Sequence, residues 1–472
     1  MSKFGFPIKF GRKNGLPRQA GPSRNGSDGR FPKAPAVILG GLAAAMLLAC
    51  LAMVLPRGAV AQLTEYDNPS VLIPVDLSGT YYRYNIVIPP FQPLRANGSV
   101  DQNAQTLSTR LGKNLDMTGF FQLVDPRASL EADPRAGLSN APPLDFAPWA
   151  QIGANFVIKG GIRVSGSNIA MELKLFDVAL GQQRLGKLFE GKVKDARKMI
   201  NVFTNQVIMS ITGEPGVFGS KIIFVTGERA GRSVMMTELG SDEADGLASS
   251  KNGPATQPTL GPGDATAWTF RNRNRSELVA NGRVVHSGDT VLTPAYMPNG
   301  TLVAALSGPV STNITIFEGR SKRSITGGSG IDVSPTFSPD GRMAYVSTSG
   351  GGAGIYVTSA SGGQGTRISP GGTSTDPAWS PKGDKIAFVY RERDICLVNP
   401  DGSGLIQITG GQGQNFHPSF SPDGRMIVFS SNRAGRHQLY VMSANGDRQQ
   451  VLMPEFQGSM TLPTWSPTMP PQ

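Results

Sequence analysis

The chain has 472 residues, enough for more than one domain, with 45 Lys and Arg against 34 Asp and Glu and a formal charge of +11. Residues 1–61 hold nine basic residues and one acid, so they carry +8 and leave only +3 for residues 62–472, which removes the charge as a case for nucleic-acid binding. Two cysteines and three histidines in the whole chain exclude a disulfide framework and a histidine-rich metal centre.

The N-terminus reads as an export signal. Eight of the basic residues precede position 36, residues 36–55 form an uncharged apolar run, and Ala59-Val60-Ala61 places small residues at −3 and −1 for cleavage between Ala61 and Gln62. No twin arginine is present, so the general secretory route is expected, with no membrane insertion after cleavage. Two alternatives stay open. Twenty apolar residues are long enough for a retained signal anchor, and Leu47-Leu48-Ala49-Cys50 resembles a lipoprotein box, although the apolar run continues past Cys50. Cleavage leaves Cys396 as the lone thiol. It alternates within Asp394-Ile395-Cys396-Leu397-Val398 as a small apolar strand residue and is expected to be buried and inert.

Residues 62–79 form an extended segment in which Val71, Ile73, Val75 and Leu77 alternate with polar or small residues. Pro69 and Pro74 keep it out of a sheet interior. It suits addition to the edge of another protein's sheet, or packing on its own domain. Residues 80–213 mix strand and helix patterns and predict a compact α/β domain. Within it, residues 101–117 carry Ala104, Leu107, Leu111 and Leu115 on one helical face. A second helix is expected after Asp195 as its cap, with Ile200, Phe203, Val207 and Ile211 inward and Gly213 as its stop. Residues 214–220 are a linker.

From residue 221 to 467 a phrase recurs. It reads Ser334-Pro335-Thr336-Phe337-Ser338-Pro339-Asp340-Gly341, then Asp376-Pro377-Ala378-Trp379-Ser380-Pro381-Lys382-Gly383, then His417-Pro418-Ser419-Phe420-Ser421-Pro422-Asp423-Gly424. Worn copies hold Pro258 and Pro294, and a truncated copy, Leu462-Pro463-Thr464-Trp465-Ser466-Pro467, stands near the end before a tail of residues 468–472. The first prolines recur about every 41 residues, which is the period of a β-propeller blade. Pro-Asp-Gly ends one strand and starts a tight turn, with Asp-Gly expected to supply its positive φ values. Six strand-pair starts near Lys221, Ala265, Thr301, Arg342, Lys385 and Arg425 predict six blades. The first lacks a phrase of its own, so the orphan C-terminal copy is expected to join it and close the ring. The expected architecture is an α/β N-terminal domain followed by an all-β six-bladed propeller closed by the C-terminal strand.

The chemistry-bearing motifs are sparse. Gly181-Gln182-Gln183-Arg184-Leu185-Gly186-Lys187-Leu188 nearly spells a phosphate-binding loop, but it lacks the Ser or Thr for magnesium and sits in a hairpin rather than before a helix. No Gly-x-Ser-x-Gly elbow occurs. Asp340 and Asp423 open Asp-Gly turns and read as structural. His286, His417 and His437 have no His or Cys neighbour at ligand spacing, so no metal site is expected. His417 stands out because it fills the slot before a blade proline, where neighbouring blades carry Ser334 and Asp376. That slot is expected on a loop at the mouth of the central funnel, either as plain surface or as a partner contact.

Taken together, the exported N-terminus, the strand ending Ile86-Val87-Ile88-Pro89-Pro90-Phe91, the small α/β domain, the six repeats and the closing strand resemble the TolB family of the bacterial Tol-Pal envelope system. The resemblance covers nearly the whole mature chain. It implies a monomeric, non-enzymatic periplasmic adaptor without a cofactor, serving outer-membrane integrity and envelope constriction during cell division. It further implies that the lipoprotein Pal docks at the propeller mouth, for which Ser334, Thr375, Asp376, Asn415 and His417 are the candidate contacts. TolA is implied to bind the N-terminal segment through Val71, Ile73, Val75 and Leu77. The long basic leader and the worn first phrases depart from the family pattern. Some members hold calcium in the funnel, but no dedicated cage is visible here. The rival reading is an exported propeller hydrolase or peptidase-accessory protein with a small ligand in the funnel, which requires titratable groups converging there.

Overall fold

The computed structural model describes residues 83–94, 102–227, 231–248, 254–271, 275–359, 361–470 and 472. The expectations for the apolar run, for Ala61 and Gln62, and for Val71, Ile73, Val75 and Leu77 therefore lie outside the described residues. No helix among the described residues is long and apolar enough to cross a membrane.

The first elements are β1 (Tyr84–Val87), β2 (Gln92–Pro93), α1 (Gln102–Met117) and β3 (Phe121–Val124). After a short helix α2 (Ala147–Gln151) come β4 (Phe156–Ser165), β5 (Asn168–Asp177), β6 (Gln182–Lys192) and α3 (Ala196–Thr212). The strands form one sheet ordered β3-β1-β4-β5-β6, with β2 on β4. β1 runs parallel to β3 and β4, whereas β4, β5 and β6 form an antiparallel meander. β4 and β5 are buried along most of their length, Lys159 and Glu172 included, because both faces of the sheet are covered. Helices α1 and α3 cover one face with Leu107, Leu111, Leu115, Ile200, Phe203 and Val207. The proline-rich stretch between β3 and β4 covers the other, where Trp149 packs on Val157 and Phe176. Gly181, at φ +63, turns the β5–β6 hairpin that mimics a phosphate loop in sequence. One expectation is corrected. Asp195 occupies the N-cap position of α3 but its side chain makes no capping bond, because its backbone is already helical, whereas a capping residue needs extended φ and ψ.

Six four-stranded blades follow, and the C-terminal strand closes the ring. Blade 1 combines Met460–Trp465 as its innermost strand with Lys221–Thr226, Ser233–Glu238 and Ala244–Ala248. The innermost strands of blades 2 to 6 are Ala255–Leu260, Val291–Tyr296, Asp332–Phe337, Ser374–Trp379 and Asn415–Phe420. The closing strand is held on all sides. Trp465 donates its backbone N–H to Ser419 Oγ of blade 6 at 2.9 Å and its indole N–H to Ser220 Oγ at 2.7 Å. Thr464 Oγ1 donates to the Pro258 carbonyl of blade 2 at 2.9 Å.

The repeat phrase builds a turn and a bulge, and both differ in detail from the sequence reading. In the turn the N–H of Gly341 donates to the Ser338 carbonyl and the N–H of Ser338 to the Arg342 carbonyl, both at 2.9 Å. Only the glycine takes positive φ, +87 at Gly341 and +70 at Gly424. The aspartate acts through its side chain instead, as when Asp423 accepts from Ser421 Oγ at 2.5 Å. The first proline of each phrase lies inside the innermost strand, where the ladder skips two residues. The skip falls between Val333 and Thr336, between Thr375 and Ala378, and between Phe416 and Ser419. A proline has no N–H for the ladder, so the bulge is where a strand can hold it.

The α/β domain sits on the face of the propeller that carries these turns. Its Arg110 bonds Gly240 and Asp242 of blade 1, and its Asp116 accepts from Arg448 at 2.6 Å and Gln450 at 2.7 Å in blade 6. One apolar core runs from the α/β sheet through Phe218 and Ile222 into Met426, Val428 and Trp465, so domain and propeller share their packing. Gly119 marks how close they come: a Cβ there would stand 2.8 Å from Ser443 Oγ.

Candidate functional site

In every blade the residue immediately before the phrase proline is left-handed. The φ values are +50 at Gln257, +42 at Thr293, +54 at Ser334, +52 at Asp376, +51 at His417 and +55 at Leu462. None of the six is glycine, so each costs of order 1 kcal/mol and is maintained by the ladder on either side of the bulge. The bulge re-aims that side chain out of the sheet. All six line a central channel of about 590 Å3 that extends to the turn prolines. The slot is thus a ring of one selectable residue per blade on a rigid frame.

The ring is partly knitted from blade to blade. Gln257 Oε1 accepts the Thr293 N–H at 2.8 Å, and Thr293 Oγ1 accepts the Ser334 N–H at 2.9 Å. On the opposite arc the polar groups are His417 and Asp376, with His417 Nε2 3.8 Å from Asp376 Oδ2 and the two side chains 31% and 24% exposed. Phe416 lies between His417 and the second imidazole of the region, with ring centroids 6.0 Å from His417 and 6.2 Å from His437. Burial, and next the neighbouring His417, hold the His437 imidazole below its ordinary range.

This geometry settles where the candidate residues stand. Ser334, Asp376 and His417 share the channel wall. They lie within the innermost strands rather than on a loop before them, which corrects the expected position of the slot. Thr375 is half-buried beside Asp376, its hydroxyl 3.5 Å from Oδ2, and does not line the channel. Asn415 is fully buried. Its amide donates to the Arg393 carbonyl, Asp394 and Thr409, each at 3.3 Å, and its oxygen accepts from Arg433 at 2.8 Å. Asn415 is therefore a strap between blades 5 and 6 and has no free polar atom for a partner. Gln257, Thr293 and Leu462 complete the ring and were not singled out from sequence. The signal for them was the same slot before Pro258, Pro294 and Pro463.

Asp376, His417 and Ser430 stand in the order of a hydrolytic triad, with His417 Nδ1 3.4 Å from Ser430 Oγ. Ser430 is fully buried within the second strand of blade 6, so no substrate carbonyl reaches its oxygen. Cys396 is 3% exposed, and burial pushes its thiol up to about 11, away from a nucleophilic thiolate. Among the described residues no three His, Cys, Asp or Glu side chains gather as metal ligands. What the ring offers is a set of mostly polar side chains, one from each blade, on the wall of the channel.

Comparison with known proteins matches this architecture along the chain. Residues 208–469 match the family model described as the TolB beta propeller domain, and residues 77–184 match the TolB amino-terminal domain. A protein TolB homolog of Chlorobium luteolum is 31% identical over 442 residues, covering 90% of this chain and 98% of the relative. The Tol-Pal system protein TolB of Anaeromyxobacter dehalogenans is 30% identical over 448 residues, covering 90% and 99%. The crystal structure of TolB from Acinetobacter baumannii shares the fold with a TM-score of 0.68 at 22% identity, covering 82% of this chain and 97% of that one. With both domain models matched in order and relatives aligned over nearly their full length, the chain belongs to the TolB family of the Tol-Pal system.

Proposed function

We propose that the protein is a non-enzymatic periplasmic adaptor that holds Pal in the propeller channel and TolA through residues 62–79, and so serves outer-membrane integrity and envelope constriction at division. The observation that carries the reading is the ring of six left-handed slots, which brings Ser334, Asp376 and His417 together on the channel wall. A docked Pal loop desolvates the Asp376–His417 pair and exchanges its weak mutual contact for hydrogen bonds across the interface. Pal held there is withdrawn from the cell wall, and TolA engaged at the N-terminal segment controls its release. Such control requires the segment to favour different states with and without Pal, a coupling free energy between the two sites.

Calorimetric titration with the Pal periplasmic domain tests the reading. One-to-one binding is expected, weakened about tenfold by Asp376→Ala or His417→Ala, and left intact by deletion of residues 62–79, which abolishes TolA binding. Absence of a Pal complex at high micromolar concentration refutes the Pal assignment, and undiminished TolA affinity after the deletion refutes the TolA assignment.

A further inference from the structure

Two residues that line one crevice carry three buried polar atoms without a hydrogen-bond partner: Nε and Nη1 of Arg425 and Oγ of Ser443. Both residues line a crevice of about 50 Å3 where blades 5 and 6 face residues 118–120 of the α/β domain. Roughly 10–15 Å3 measured this way holds one water molecule, so the space admits a group of several heavy atoms. Arg425 is only 11% exposed there; its Nη2 lies 3.3 Å from Glu214 Oε2, and its guanidinium stacks 5.3 Å from the Phe120 ring centre.

Comparison between blades shows that this arrangement departs from the repeat. In blade 4 the matching residue, Arg342, stays at home, 2.9 Å from Asp340 Oδ2 of its own turn. In blade 6 Asp423 takes the Ser421 hydroxyl and the Arg425 backbone N–H, and Arg425 lines the crevice with its Nη2 against Glu214 instead of against its own turn. Blade 5 departs too. Where blades 4 and 6 carry Asp340 and Asp423, it carries Lys382, whose stem packs against Gly424 and which lines the same crevice. Arg83 brings a third cation from the α/β domain, 3.6 Å from Asp447. Three cations and an unpaired hydroxyl thus line the crevice with one acid, Asp447, while Glu214 reaches Arg425 from outside its lining; the two acids are each 57% exposed. A guanidinium buried with two N–H groups unmet is costly, and an anion is what offsets it.

We propose that this crevice is an oxyanion site, taking a carboxylate or phosphate group that bridges the α/β domain to blades 5 and 6. The group accepts from Arg425 and Ser443, with Lys382 and Arg83 neutralising its charge. The site lies on the propeller face that meets the α/β domain and stands independently of the docking proposal.

Thermal unfolding of the purified protein tests it, in sodium phosphate, sodium acetate or a blocked glutamyl peptide, each against sodium chloride at equal ionic strength. A saturable rise in midpoint is expected with the oxyanions and not with chloride. Half-saturation should move about tenfold or more higher in Arg425→Met and in Lys382→Asp. The second variant installs at an exposed turn the residue its sister blades carry, so it retains the fold. A peptide more effective than acetate assigns the site to a polypeptide carboxylate, and phosphate or acetate at least as effective assigns it to a free ion. Equal midpoints in every salt, or a response undiminished in both variants, overturns the proposal and leaves water as the partner of Arg425.

Discussion

Trp465 is the clasp of the propeller, and replacing it separates two contributions to ring closure. The side chain is 3% exposed, packs in the core shared by the α/β domain and blades 1 and 6, and donates its indole N–H to Ser220 Oγ. Trp465→Ala removes the whole buried ring system, for which large-to-small core changes cost about 3–5 kcal/mol. The lost hydrogen bond adds about 1 kcal/mol. Trp465→Phe keeps most of the apolar burial. Ser220 Oγ still donates to the Val217 carbonyl at 2.7 Å, so no donor is stranded and the loss stays near ~1 kcal/mol. Urea unfolding followed by far-UV circular dichroism reads both values from the midpoint and slope. A loss below ~1 kcal/mol for Trp465→Ala would show that the strand does not clasp the ring. Equal losses for the two variants would show that the hydrogen bond, and not packing, closes it.

Three further outcomes are expected. Asn415→Ala strands the Arg433 guanidinium by one acceptor and unties Thr409 and Asp394, lowering unfolding free energy by about 1–3 kcal/mol while leaving Pal affinity unchanged; weakened Pal binding with unaltered stability would contradict its role as a strap. The His437 imidazole is held below 6.5 by burial, so on acidification the unfolded chain takes up that proton first. Its share of stability is full above about pH 6.5 and is lost as pH falls through the lower folded value. Wild type should therefore lose more stability than His437→Gln between pH 7.5 and 5, and parallel losses would remove His437 as the cause. Cys396, its thiol pushed up to about 11 within a fully packed strand, should react with Ellman's reagent at least ~100-fold more slowly in the folded protein than in urea. Comparable rates would mean that blade 5 opens readily.

The architecture was legible because the repeat phrase carries its own physics. Each proline needs a place without a ladder bond, each glycine needs positive φ, and the orphan copy at Trp465 needs a blade to complete. The helices were legible from Leu107, Leu111, Ile200 and Phe203 at helical spacing, although Asp195 failed as a cap because its backbone is already helical. The site was half legible. Ser334, Asp376 and His417 share a slot that repetition reveals, but the left-handed conformation there runs against local preference, most clearly for the β-branched Thr293, and is imposed by the bulge. Asn415 misled because a polar residue near a slot looks exposed in sequence, and only the packing of blade 6 on blade 5 buries it. Lys382 was visible as a departure from Asp in the phrase, yet it gains meaning only beside Arg425 and the α/β domain, hundreds of residues from Arg83 in sequence.

The measurement that tests the central claim most directly is photo-crosslinking in living cells from two positions of the same protein. One probe replaces His417 in the channel ring, and the other replaces Leu188, which is 64% exposed on the α/β domain. Docking in the channel predicts a Pal adduct from position 417 and none from position 188. A Pal adduct from position 188 with none from position 417 would contradict it and move the partner to the other end of the molecule.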